Sequence, residues 1–247
     1  MIPEQEMYVI LAALMGGLTL LFAVISTFLP SENRKYYVPI IVVPAISALS
    51  FALMSQGILF FEEGFETTFP AARMFGYMLI FSIIGGYVGI AGSLGQRQVG
   101  ILAFCMFLVI VGITLSWAPS PFDSLGALLM FGTLIVVAYL LLKPYDRMTW
   151  DLPGEQRLLF QKLRNILLLI WVFYITGTLL TRSNLGYFDA FTSVFVATYM
   201  DMVLMFTFGM IVFRSLKAVN QIADSDPLNT GEEPPEQPDA SQPEPAD

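Results

Sequence analysis

Seven long apolar runs constrain the fold of this chain more than any other feature of its sequence. Each holds close to the 20 residues that an α-helix needs to cross the hydrocarbon core of a bilayer. Only helices and closed barrels satisfy their backbone hydrogen bonds in lipid, and continuous runs of this length favour helices. The sequence therefore predicts an all-α, multi-pass protein of the cell membrane with seven transmembrane helices. The runs are roughly 7–29, 37–60, 71–93, 98–117, 124–142, 162–181 and 187–213.

The basic residues predict the orientation of the bundle. Lysine and arginine concentrate in the short cytoplasmic loops of membrane proteins. On one side of the predicted bundle lie only Arg73 and Arg182. The N-terminus is therefore predicted to lie outside the cell and the C-terminus in the cytoplasm. The bases on the other side are Arg34, Lys35, Arg97, Lys143, Arg147, Arg157, Lys162, Arg164, Arg214 and Lys217.

The net charge of −8 comes from the last part of the chain. The acids there have no base among them, and the segment is rich in proline and glutamine. Such a segment cannot bury enough apolar surface to fold. We therefore predict two parts, a seven-transmembrane domain at 1–219 and an acidic, Pro-rich, disordered cytoplasmic tail at 220–247, and no nucleic-acid partner. The acids are Asp224, Asp226, Glu232, Glu233, Glu236, Asp239, Glu244 and Asp247.

The residue inventory argues against an enzyme and against a metal site. The chain has one cysteine, Cys105, and no histidine, so disulfides, thiolate clusters and the commonest general base are absent from the sequence. No phosphate loop, metal motif or nucleophile–base arrangement is found. Three glutamates in the connector 61–70 could form a cation site, but a solvated acidic loop is favoured. They are Glu62, Glu63 and Glu66.

Two charged residues lie within the apolar runs. Asp201 follows the start of the last run by 14 residues, near its middle, and Arg73 lies about one turn inside the third. A charge at the centre of a spanning helix costs about 2.5–3.5 kcal/mol on insertion scales. We therefore predict that the two pair, directly or through water, either as a working polar site or as an ion pair that fixes helix register. Asp189, at the start of the last run, is predicted to be favourable against the helix dipole.

Two further stretches predict contacts at the surface of helices. Gly85 and Gly89 have the four-residue spacing that lets helices approach closely, either within the bundle or between subunits. The basic amphipathic stretch 155–165 leads into the sixth run. It is predicted to anchor at lipid headgroups, and the alternative is that it docks a cytoplasmic partner.

Four of the runs carry strings that resemble the microbial rhodopsins, and most nearly those of the haloarchaeal, bacteriorhodopsin type. The last run has Asp201, Phe208, Gly209, Arg214 and Ser215 in the register of that family. The sixth reads RNILLLIWVFYI, the second RKYYVPIIVVPAI with Pro44 at the mid-helix proline, and the third begins AAR. The resemblance covers residues 8–217 and implies the rhodopsin type of seven-helix bundle.

The resemblance also implies a retinal pocket, from which this sequence departs. The lysine that carries retinal in the family falls on Met205, the counterion aspartate on Gly76, and the proton donor of pumps on Tyr87. A thioether cannot form an imine, so no covalently bound cofactor is expected. The implied ligand-pocket positions are Tyr77, where a tryptophan is usual, Trp171, Tyr174, Thr178 at a second tryptophan position, Asp201 and Met205.

These departures predict an opsin-like membrane protein without covalent retinal, acting as a non-pumping accessory, regulatory or ligand-binding relative of bacteriorhodopsin. Non-covalent retinal or a carotenoid remains compatible with this interpretation. The alternatives are a light-responsive photoreceptor or ion transporter with non-covalent retinal or a partner opsin, and a structural or chaperone-like membrane protein. Expected partners are the lipid bilayer, another opsin or a carotenoid-pathway protein, and a second copy of the chain.

Overall fold

A computed structural model describes residues 4–61, 69–180 and 185–225. Seven of its helices are long and apolar enough to cross a membrane, which confirms the predicted number of spans. Glu62, Glu63, Glu66, Arg182 and the acidic segment from 226 onward lie outside the described residues. The helices are α1 (Glu4–Thr27), α2 (Val38–Ser55), α3 (Ala71–Ala91), α4 (Gln96–Leu115), α5 (Phe122–Leu142), α6 (Pro144–Met148), α7 (Gly154–Leu180), α8 (Ala190–Phe213) and α9 (Leu216–Ser225).

Short connectors join the long α-helices in the described part of the chain. A short 3₁₀ helix, Ser31–Tyr36, joins α1 to α2. Two-residue strands β1 (Phe60–Phe61) and β2 (Phe69–Pro70) pair antiparallel just before α3 begins. Within the spans the described backbone is helical throughout, as a lipid environment requires.

Several helices that follow one another in the chain pack side by side. At one of these contacts, between α4 and α5, two glycines allow the backbones to approach closely. α1 packs on α2, α3 on α4, α4 on α5, and α7 on α8. At the crossing of α4 and α5, a Cβ on Gly112 would lie 2.5 Å from the Met130 nitrogen, and one on Gly126 would lie 2.3 Å from the Ser116 nitrogen. The two backbones therefore touch, because neither position carries a side chain.

The predicted glycine face on the third span packs inside the bundle. A Cβ on Gly85 would lie 2.7 Å from Met106 Cγ, and one on Gly89 would lie 3.0 Å from Val99 Cγ2. Both neighbours belong to α4 of the same chain. Of the two interpretations given above, intrabundle packing is therefore the one that the structure confirms.

The chain continues as a helix beyond the predicted end of the folded domain. α9 is amphipathic, and its apolar side chains Ala218, Val219 and Ile222 are buried. Asn33 Nδ2 donates to Asn220 Oδ1 at 2.6 Å, which ties α9 to the connector between α1 and α2. The boundary predicted at 219/220 thus falls inside a packed helix, because Ile222 extends the apolar stripe by one turn.

The amphipathic stretch at the start of α7 turns its apolar face toward the bundle. Leu159, Phe160 and Leu163 are buried, whereas Lys162 is exposed. Gln156, also buried, donates from Nε2 to Ser93 Oγ at 2.6 Å and so joins α7 to the connector after α3. Anchoring at lipid headgroups remains a prediction for the exposed, basic face.

Two titratable groups mark opposite ends of the spans. Asp189 caps α8 by accepting from the Thr192 backbone nitrogen at 2.7 Å, as expected of an acid at a helix N-terminus. The hydrogen bonds from Thr192 lower the pKa of this exposed carboxyl. Tyr37, just before α2, is buried and stacks on Phe213 at 5.3 Å between ring centroids. Burial raises the pKa of Tyr37 to about 12.

Candidate functional site

The two intramembrane charges form a direct ion pair between α3 and α8. Arg73 Nη2 lies 2.9 Å from Asp201 Oδ2. The two residues are 8% and 1% exposed. Because buried charges persist in a protein when each has an opposite partner and hydrogen bonds, this contact explains how both remain at depth.

Two tyrosines complete the hydrogen bonding of the carboxylate. Tyr77, one helical turn after Arg73, accepts from Arg73 Nε at 2.6 Å and donates to Asp201 Oδ2 at 2.6 Å. Tyr174 of α7 donates to Asp201 Oδ1. The guanidinium also lies over the ring of Phe51, 5.7 Å from its centroid. The carboxylate therefore has three donors, all supplied by side chains of this chain.

Met205 lies one turn beyond Asp201 on α8, on the same helix face. It is 1% exposed, and its neighbours in sequence and along the helix, Leu204 and Phe208, are buried to the same degree. Met205, onto which the resemblance places the family lysine, is thus a fully buried thioether. A thioether cannot condense with an aldehyde to form an imine, and it accepts no proton at ordinary pH.

Phe81 is a residue of this site that sequence reasoning missed. Its ring centroid lies 4.8 Å from that of Trp171, 5.9 Å from that of Tyr77 and 6.2 Å from that of Tyr174. Its spacing could have identified it, because positions 73, 77 and 81 are four residues apart and share one face of α3. Phe81 connects the implied pocket residues of α3 and α7 through aromatic contacts.

Thr178, one turn after Tyr174 on α7, is exposed. Its hydroxyl donates to the Tyr174 carbonyl at 2.9 Å on its own helix. A hydroxyl in a spanning helix commonly bonds the carbonyl one turn earlier in this way. That Thr178 lines a pocket with Trp171 and Tyr174 stays a prediction.

The positions that the resemblance assigns to the counterion and the proton donor are packed against neighbouring residues. A Cβ on Gly76 would lie 2.3 Å from Ser50 Oγ, so α2 and α3 are in close contact there. Tyr87 is 2% exposed and packs edge-on against Phe208, 5.4 Å between ring centroids. Its hydroxyl finds no hydrogen-bond partner within the described part of the chain.

Replacing Tyr87 with phenylalanine should stabilise the protein. A buried hydroxyl without a partner costs about 1–3 kcal/mol, so its removal should raise the midpoint of thermal unfolding by a few degrees. Tyr174→Phe is the matched control, since it removes a hydroxyl that donates to Asp201 and should lower the midpoint. Equal losses from both substitutions, measured in lipid nanodiscs, would contradict this account of Tyr87.

A buried arginine–carboxylate pair bridged by tyrosines, inside seven spanning helices, defines a polytopic membrane protein whose polar site lies within the bundle. The profile of the family described as "Bacteriorhodopsin-like protein" matches residues 3–219. The chain belongs to this family of microbial rhodopsins. Rhodopsins of this kind are photoreceptors or transporters rather than enzymes, and the family normally binds retinal.

Curated relatives agree with the family. The chain is 26% identical over 196 residues to Sensory rhodopsin-2 of Haloarcula vallismortis, covering 77% of this chain and 81% of the relative. It is 24% identical to Sensory rhodopsin-2 of Natronomonas pharaonis, with coverage of 78% and 81%. It is 23% identical to Bacteriorhodopsin-I of Haloquadratum walsbyi, with coverage of 74% and 75%.

Solved structures share the fold at lower sequence identity. Thermophilic rhodopsin from Rubrobacter xylanophilus superposes with a TM-score of 0.79 at 17% identity, covering 89% of this chain and 99% of that one. A cyanorhodopsin from the cyanobacterium Tolypothrix superposes with a TM-score of 0.80 at 16% identity, covering 90% and 99%. The bundle is therefore of the microbial rhodopsin type.

Side chains pack closely at the centre of the implied pocket. A cavity that holds even one water molecule leaves exposed surface on the side chains that line it. Phe81, Trp171 and Met205 are 2%, 4% and 1% exposed, so little space adjoins these three, whereas Tyr77 and Tyr174 are partly exposed. A described groove of about 370 Å³ lies instead on the lipid-facing side between α1 and α8, lined by residues that include Leu18 and Met202.

Proposed function

We propose that this chain is an opsin-like membrane protein that forms no covalent bond to retinal and acts as a non-pumping accessory or regulatory relative of bacteriorhodopsin. The observation that carries the proposal is the pairing of Asp201. The resemblance implies that this acid faces a Schiff base, yet here its two oxygens accept from Arg73, Tyr77 and Tyr174. Met205 supplies no nitrogen with which retinal could condense.

The polar cluster supports a static role better than proton transport. A pump needs groups that take up and release a proton in sequence along a path. The resemblance places the proton donor of pumps at Tyr87, on the side of Met205 toward the predicted cytoplasm. Its buried phenol packs on Phe208. The arginine and tyrosines hold the carboxyl group of Asp201 in one hydrogen-bonded arrangement, which favours a structural ion pair over a relay.

The remaining lysines do not substitute for the missing one. The chain has four: Lys35, Lys143, Lys162 and Lys217. Each lies at the predicted cytoplasmic ends of the spans, whereas Asp201 and Met205 lie well inside α8. An imine requires direct contact between amine and aldehyde, so attachment to any of the four would leave the family site unused.

The decisive experiment adds all-trans retinal to the purified protein, records the visible spectrum and then reduces with borohydride. We expect no red-shifted band and no retinal fixed to the polypeptide. A bacteriorhodopsin-type protein with its lysine, prepared in the same lipid, is the positive control. A red-shifted band that borohydride fixes to this chain would refute the proposal.

A structural or chaperone-like membrane protein is the second candidate, and the packing of the core favours it. Arg73, Phe81, Trp171, Asp201 and Met205 are all buried against protein, which is what a bundle stable without a ligand requires. Co-purification from native membranes separates the two candidates. Stoichiometric recovery of one partner opsin supports the accessory role, and recovery of the chain with lipid alone supports the structural one.

A further inference from the structure

We infer that Phe81 closes the ligand space of the family from within, so that retinal is excluded from the bundle even as a non-covalent ligand. This inference rests on the proposed function and extends it. The proposed function concerns the missing covalent bond at Met205. The inference concerns the space itself, which a side chain of α3 fills.

The first step is the separation of the rings. Carbon atoms of stacked flat groups lie about 3.5–4.0 Å apart, so a polyene between two rings would hold them about 7–8 Å apart. The centroids of Phe81 and Trp171 are 4.8 Å apart, with the ring planes inclined by 39°. Trp171, which the resemblance assigns to the ligand pocket, is therefore in contact with Phe81, and the two rings leave no room for a polyene between them.

The second step is the absence of room beside that contact. Three different helices contribute to this contact region: Phe81 lies on α3, Trp171 on α7 and Met205 on α8. Their exposed fractions of 2%, 4% and 1% show that almost all of the surface of these three side chains is covered by protein. A ligand would have to displace Phe81 from its contacts with three other rings.

The third step is what holds Phe81 in place. Tyr77 contacts Phe81 edge-on and is itself fixed by hydrogen bonds with Arg73 and Asp201. Tyr174, which donates to the same carboxylate, contacts Phe81 edge-on from α7. The ion pair thus positions two of the rings that enclose Phe81, and we expect the aromatic and polar parts of the core to open only together.

The test compares wild-type protein with Phe81→Ala in the same nanodiscs, with Phe75→Ala as the matched control. Phe75 lies on the same helix but is 58% exposed, toward lipid. Loss of the Phe81 ring should lower the midpoint of thermal unfolding by roughly 10 °C, and benzene, which fits the space of a removed ring, should restore part of it. Benzene should restore no stability to Phe75→Ala or to the wild type.

Retinal titration of the wild type, followed by tryptophan fluorescence, decides the inference even if Phe81→Ala does not fold. We expect no saturable quenching at one retinal per chain. Saturable quenching by retinal that organic solvent extracts would overturn the inference and leave the proposed function standing, whereas retinal fixed by borohydride would overturn both. Equal rescue of Phe81→Ala and Phe75→Ala by benzene would also overturn it.

Discussion

Replacing Asp201 with alanine is expected to destabilise the protein by about 3–5 kcal/mol, because it leaves a buried arginine without its counter-charge. Arg73 is 8% exposed, so water cannot take over the role of the carboxylate. The hydroxyls of Tyr77 and Tyr174 lose their acceptor in the same step. The measurement is the free energy of unfolding in mixed micelles. In Asp201→Ala this free energy should fall so far that the protein barely stays folded.

The matched control for Asp201 is the ion pair between Asp146 and Arg164. This pair joins α6 to α7 and is only partly buried, with side chains that are 23% and 13% exposed. Asp146→Ala should cost less than Asp201→Ala, since solvent reaches this pair and screens it in part. The double variant Arg73→Gln with Asp201→Asn should lose less than the summed single losses. Equal costs at Asp201 and Asp146 would show that burial does not govern the central pair.

Gly126→Ala should be the most damaging single methyl addition to the described part of the bundle. The new Cβ would lie 2.3 Å from the Ser116 nitrogen, 2.6 Å from the Leu115 carbonyl carbon and 2.7 Å from the Gly112 oxygen. All three are backbone atoms at the C-terminal end of α4 and its cap, so no side-chain rotation can relieve the overlap and the two helices must separate. We expect a loss of about 3 kcal/mol or more, at the upper end for overpacked cores, measured as unfolding free energy.

Gly132→Ala on the same helix is the control for this prediction. A Cβ there meets nothing within 4 Å, and alanine favours a helix over glycine by about 1 kcal/mol. Gly132→Ala should therefore be neutral or stabilising. If Gly126→Ala were equally well tolerated, the close crossing of α4 and α5 would be disproved.

The spans and the charge pair were predictable because hydrocarbon imposes simple rules. A long run of apolar residues forms a helix in lipid, because a helix satisfies its own backbone hydrogen bonds. An arginine and an aspartate inside the bundle form a pair, because either charge alone would be costly there. α9 was missed because its sequence contains Asn220, Gln221 and Asp224 among only a few apolar residues. Its short apolar stripe predicts a helix only when the end of the bundle, against which the stripe packs, is already known.

The interior of the site was less predictable, because packing across helices has no signature in a single sequence. Gly209 matches the family pattern in sequence, but the pattern does not explain why a glycine stands there. In the structure, a Cβ at that position would lie 2.4 Å from Phe22 Cζ, so the glycine gives a ring of α1 its place. Thr178, which the resemblance implies for the pocket, is exposed on α7, and its place in a pocket stays a prediction. Phe81 had a visible spacing but no family role to draw attention to it.

The full set of donors around Asp201 has a consequence for any attempt to build a pigment site into this chain. A lysine introduced at position 205 would lie one turn from a carboxylate whose donors are already in place, and its ammonium would compete with Arg73 for the same oxygens. An acid introduced at position 76 would require the Ser50 hydroxyl to move, because a Cβ there would lie 2.3 Å from Ser50 Oγ. On the proposed function, a covalent pigment therefore needs coordinated changes at several positions rather than the single substitution Met205→Lys.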